Sequence, residues 1–93
     1  MIVGVARVQV HLPRAQSLKD KRSVLKSVRD QLRSHFNVAV AEVEPNELWQ
    51  RAVLGIASVG EDRPYVEGLM REVLAWLRNT HLVAIIQIEE EYG

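Results

Sequence analysis

Arg22, Lys26, Arg29 and Arg33 recur every three or four residues, so a helix through them would carry four cations along one face. Lys19 extends the row, and Arg14 and Lys21 stand near its start. Asp30 is the one acid inside the stretch, with Asp20 at its opening. Cations in such a row repel one another, and phosphate groups would relieve that repulsion. Arginine adds bidentate contacts to phosphate oxygens. The chemistry expected of Lys19, Arg22, Lys26, Arg29 and Arg33 is therefore salt-sensitive binding to an RNA backbone, without sequence preference. The plainer reading is a solvated helix face, balanced by acidic residues of a neighbouring chain.

Catalytic chemistry has less to stand on. The chain has no cysteine, which excludes thiol catalysis, a disulfide framework and cysteine-ligated metal centres. His11, His35 and His81 do not fall in HxH or HExxH spacing. Ser17 and Ser23 have no nearby His and Asp to activate them, and helix capping accounts for Ser17. Glu42, Glu44 and Glu47 surround a turn, where carboxylates are ordinarily solvated. Glu89, Glu90 and Glu91 read as a charged strand end that resists edge-to-edge pairing. There is no phosphate-binding G-x-G-x-x-G or P-loop pattern. We expect no enzyme, no metal site and no cofactor.

The bulk numbers frame these residues. At 93 residues, 47% hydrophobic and 26% charged, the chain has room for one ordinary globular domain over residues 1–93. Its formal charge is zero, yet residues 1–36 carry +6 and residues 37–93 carry −6. Residues 1–12 are apolar but lack the basic start of a secretory signal. No segment approaches the roughly 18 apolar residues of a membrane span. A cytoplasmic location without a membrane role is the expectation.

The elements that must position these groups follow from hydrophobic period. Residues 2–12 alternate, with Ile2, Gly4, Ala6, Val8, Val10 and Leu12 on one face, and Pro13 ends that strand. Ser17 caps a helix running to about His35, whose apolar stripe is Val24, Leu25, Val28, Leu32 and Phe36. Asn37 suits a left-handed helix exit. Residues 38–44 and 48–59 read as two strands joined by the turn at Glu44-Pro45-Asn46-Glu47. Asp62 caps a second helix to about Asn79, and residues 82–88 form the last strand.

The order is βαββαβ. Right-handed crossovers then give an α+β, ferredoxin-like domain: a four-stranded antiparallel sheet with two helices on one face. Exchange of the last strand between two chains is the alternative. Both faces of the first and third strands are fairly apolar, where a sheet covered on one side should alternate cleanly. That surplus suggests a homodimer built on the free sheet face. Trp49, Arg51, Arg7, Gln9 and His11 could share that surface. The core of the third strand carries no aromatic ring, so RNA-recognition-type base stacking is not expected. Trp49 and Trp76 are expected to be packing residues.

Several segments together resemble one family. Ser17-Leu18-Lys19-Asp20-Lys21-Arg22-Ser23-Val24-Leu25-Lys26 is similar to the start of the first helix in the YlxP-like family of small bacterial proteins. Phe36-Asn37-Val38-Ala39-Val40-Ala41-Glu42-Val43 resembles its second strand. Trp49-Gln50-Arg51-Ala52 and Leu54-Gly55-Ile56-Ala57 resemble its third. The resemblance covers essentially the whole chain and implies a ferredoxin-like fold with no assigned catalytic residues. It also implies a translation or ribosome-maturation setting, because members are commonly encoded near such genes. The expected function is an RNA- or ribosome-associated binding protein that uses the basic first helix. The alternative is an interaction module that dimerises through its sheet.

Overall fold

Alternation in the first eleven residues makes a strand with two different faces. Ala6, Val8 and Val10 are buried, while Arg7 and Gln9 between them are only half-buried. In the computed structural model, which describes residues 1–93, the elements are β1 (Ile2–His11), α1 (Leu18–His35), β2 (Ala39–Val43), β3 (Arg51–Gly60), α2 (Arg63–Asn79) and β4 (Ala84–Tyr92). The strands lie in the order β2-β3-β1-β4, and every neighbouring pair is antiparallel. This is the ferredoxin-like arrangement expected from the element order, with β4 pairing to β1 of its own chain.

The core forms where the sheet meets the helices. Val8, Val10, Leu54 and Ile56 meet Leu25, Val28 and Leu32 of α1 and Met70, Val73 and Leu77 of α2. Ser17 caps α1 as expected: its Oγ accepts the Asp20 N–H at 3.0 Å, and Asp20 Oδ2 accepts the Gln16 N–H at 3.0 Å. Asp62 does the same for α2 by accepting the Tyr65 N–H at 2.9 Å. Gly4 lets α2 and the end of β4 close on β1. A Cβ there would sit 2.7 Å from Val66 Cγ1 and 2.9 Å from the Tyr92 ring.

Three local expectations are corrected. First, α1 leaves through Phe36 in extended conformation, φ −135°, and Glu44 is the residue with positive φ, at 49°. Asn37 is therefore not a left-handed cap. Second, β3 starts at Arg51 rather than residue 48, because hydrogen bonds to Asn46 and Leu48 hold the preceding residues in a turn. Third, β4 extends to Tyr92, so Glu89, Glu90 and Glu91 lie within a strand opposite Arg7, Ala6 and Val5. An edge strand has one side of its ladder in solvent, and glutamate is tolerated there.

Candidate nucleic-acid interface

The basic row forms on α1, but its members do different work. Lys19 and Arg22 are exposed on its first turns. Lys26 is tied to Asp30 one turn on, at 2.6 Å. That hydrogen bond, with the charges of Lys26, Arg29 and Arg33, holds the Asp30 carboxyl below its ordinary range. Arg33 reaches β2 and donates Nη2 to the Val40 carbonyl at 2.9 Å. Of the five residues expected to contact RNA, only Lys26 has a carboxylate within ion-pair distance, and Lys19, Arg22 and Arg29 make neither an ion pair nor a side-chain hydrogen bond.

Lys21 differs from its neighbours. It turns inward and is only 3% exposed. Its ammonium donates to the Asn46 carbonyl and Asn46 Oδ1, both at 3.0 Å, and to the Leu48 carbonyl at 2.9 Å. Glu42 lies 3.7 Å away and supplies a counter-charge. The Leu48 N–H returns to Asn46 Oδ1 at 2.8 Å. The 44–50 turn is therefore shaped around a buried cation.

The same end of the sheet is stitched a second time. Gln50 Nε2 donates to the Ala15 carbonyl at 3.1 Å and to Pro13 at 3.4 Å. The Gln50 carbonyl accepts the Leu12 N–H at 3.0 Å and the His11 Nδ1–H at 3.1 Å. Arg14, between two of these anchored residues, and Arg51, opposite His11, are exposed and take part in no ion pair. Arg14 and Arg51 thus stand at the ends of β1 and β3, and Lys19 and Arg22 on the first turns of α1, whose Lys21 is bonded to the 44–50 turn.

Trp49 corrects its expected packing role. It is 54% exposed, and Leu48 beside it is 60% exposed. Trp76 does pack, half-buried against the core with His35 6.4 Å from its ring. The signal that could have separated them is period: Trp76 follows Val73 on a helical stripe, whereas Trp49 lies between turn and strand.

The open sheet face forms a second surface. The register places Val3 beside Val59, Val5 between Ala57 and Glu91, Arg7 between Gly55 and Glu89, Gln9 between Val53 and Gln87, and His11 between Arg51 and Ala84. Ala39, Ala41 and Val43 complete the β2 side. Its apolar part forms a shallow groove of about 690 Å³ lined by Val5, Ala39, Val43, Gly55 and Ala57. Arg7 spans this face. Nε and Nη2 engage Glu44 beyond β2, and Nη1 lies 2.9 Å from Glu89 of β4. The hydrogen bond to Arg7 holds Glu44 below the ordinary carboxylate range.

Three of the side chains considered for catalysis take structural roles. His11 holds Gln50, His35 Nδ1 holds the Gln31 carbonyl at 2.8 Å, and Ser17 caps α1. No three His, Asp or Glu side chains come close enough to share a metal ion. No helix is long and apolar enough to cross a membrane.

With this geometry in view, the chain's kinship is plain. Residues 3–90 match the family model described as "Protein of unknown function (DUF503)". The chain belongs to the DUF503 family. It is also 36% identical over 76 residues to "Uncharacterized protein YlxP" of Bacillus subtilis (strain 168), covering 82% of this chain and 83% of that protein. The resemblance read from the α1, β2 and β3 segments is thus confirmed. Membership in DUF503 assigns no chemistry to any residue, so the functional argument rests on the surfaces above.

Proposed function

We propose that this DUF503 protein binds RNA, as a cytoplasmic ribosome- or RNA-associated factor, through the α1 face and the sheet end beside it. Its role on this reading is binding rather than catalysis. The supporting observation is the trio Lys19, Arg22 and Arg29, exposed or half-exposed and without carboxylate partners, with Arg14 and Arg51 likewise exposed and unpaired. Phosphates are the partner such a cluster fits, since they neutralise it and release counterions on binding. Lys26 and Arg33 contribute less, because Asp30 and the Val40 carbonyl already hold them. The test is filter binding of a structured RNA across a salt series. Wild type should weaken steeply with salt, and the Lys19→Glu/Arg22→Glu/Arg29→Glu variant should lose at least about ten-fold in affinity at low salt. Equal affinity of the two proteins would refute the reading.

A second reading is favoured by the open sheet face. Val3, Val5 and Val59 are 37%, 39% and 52% exposed on one contiguous surface. A homodimer joined there would cover them. Light scattering should then give twice the monomer mass, and Ala57→Arg, set in the groove, should give a monomer. A wild-type monomer at all concentrations would remove this reading.

A further inference from the structure

We propose that Trp49 is a stacking platform for an unpaired base, with Arg14 and Arg51 beside it to hold the neighbouring phosphates. This deepens the RNA-binding reading and rests on it. It specifies single-stranded RNA, or the loop of a hairpin, as the ligand.

Three observations carry it. Trp49 is more than half exposed on a short turn, meets no other aromatic ring, and has no protein cation over its face. Both faces of a nucleobase are available for stacking only when the strand is unpaired. The turn is also held in place. Lys21 fixes Asn46 and Leu48 on one side of Trp49, and Gln50 is pinned to Pro13 and Ala15 on the other. A ring presented by an anchored turn loses little freedom on binding, which is the condition for a useful contact.

The charge around Trp49 selects the partner. An apolar protein surface would suit Leu48 and Trp49 alone, but Arg51 lies two residues from Trp49, Arg14 lies between the two residues that Gln50 holds, and Lys19 and Arg22 lie either side in sequence of the Lys21 that holds the turn. The nearby carboxylates are mostly engaged: Asp20 by the Gln16 N–H, Glu42 by Lys21 and Glu44 by Arg7. Glu47 is the one left free in the turn. Aromatic face plus arginine is the pairing that single strands use, base on ring and phosphate on guanidinium.

The experiment compares two probes on the full chain: a single-stranded oligouridylate and a blunt RNA duplex of equal length. Trp49→Ala should weaken the single strand about ten-fold with its salt dependence unchanged, and leave the duplex unaffected. Trp49→Phe should recover most of the loss. In a proton–nitrogen NMR titration the Trp49 indole resonance should shift with the single strand and stay in place with the duplex. Unchanged single-strand affinity in Trp49→Ala, or equal loss on both probes, would overturn the stacking site while leaving the RNA-binding reading intact. Failure of wild type to bind either RNA would overturn both.

Discussion

Lys21 and Asn46 are joined twice, one ammonium holding both the backbone carbonyl and the side-chain oxygen of the asparagine at 3.0 Å. A buried lysine is costly unless every donor is used, and here the third goes to Leu48. Lys21→Met keeps the apolar stem and removes the donors. It leaves two carbonyls and Glu42 without their partner, which should cost about 1–3 kcal/mol. Urea denaturation should show this as a lower midpoint at unchanged slope, and limited proteolysis should newly cut within residues 44–50.

The Arg7 clasp should make stability fall in acid. Glu44 titrates below its ordinary value of 4.5 in the folded protein because Arg7 binds its ionised form. Its contribution is complete above the unfolded value and is lost as pH falls through the lower folded one. Arg7→Gln removes that contribution. Wild type should therefore exceed the variant in urea midpoint at neutral pH, and the gap should narrow well below pH 4.5. A constant gap would show that Arg7 acts through packing alone.

Gly4 should not accept a side chain. The methyl of Gly4→Ala would press on Val66, which is buried, and on the Tyr92 ring, which packs against the core. Overpacking of this kind costs about 1–3 kcal/mol. For a domain of this size each kcal/mol lowers Tm by about 4–8 °C. Calorimetry of Gly4→Ala beside Gly68→Ala makes the comparison, since a methyl on Gly68 meets nothing closer than 3.8 Å.

Tyr92 should mark the alkaline limit. Burial, reinforced by the hydrogen bond to Glu90, pushes its phenol up to about 12 from 10.0. The folded state holds this proton more tightly than the unfolded chain, so stability is intact below pH 10 and declines as pH rises toward 12. Tyr92→Phe should flatten that decline. Chemical denaturation at stepped alkaline pH measures it directly.

Much of the architecture was legible because periodicity is local information. The alternation of Ile2 to Leu12 and the stripe at Leu25, Val28 and Leu32 each name an element and its inward face. Ser17 and Asp62 mark helix starts through chemistry that acts within three residues. The charge row on α1 was legible for the same reason. What escaped depended on partners distant in sequence. Lys21 reads as one more cation until Asn46 and Leu48 are brought beside it. Arg33 reads as free until β2 arrives with the Val40 carbonyl. Trp49 reads as core because tryptophan usually is, yet it stands in the turn before β3, in phase with Arg51 and the open sheet face, and is more than half exposed. The span of Arg7 from Glu89 to Glu44 needs the whole strand order to be known.

The unlike surroundings of the two tryptophans divide the protein's light emission into two channels. Trp76, half-buried against the core, emits from an apolar setting, whereas Trp49 emits from water at longer wavelength. Loss of the fold red-shifts the first. A quencher or ligand at the 44–50 turn dims the second. A single unlabelled sample therefore reports its integrity and its occupancy separately.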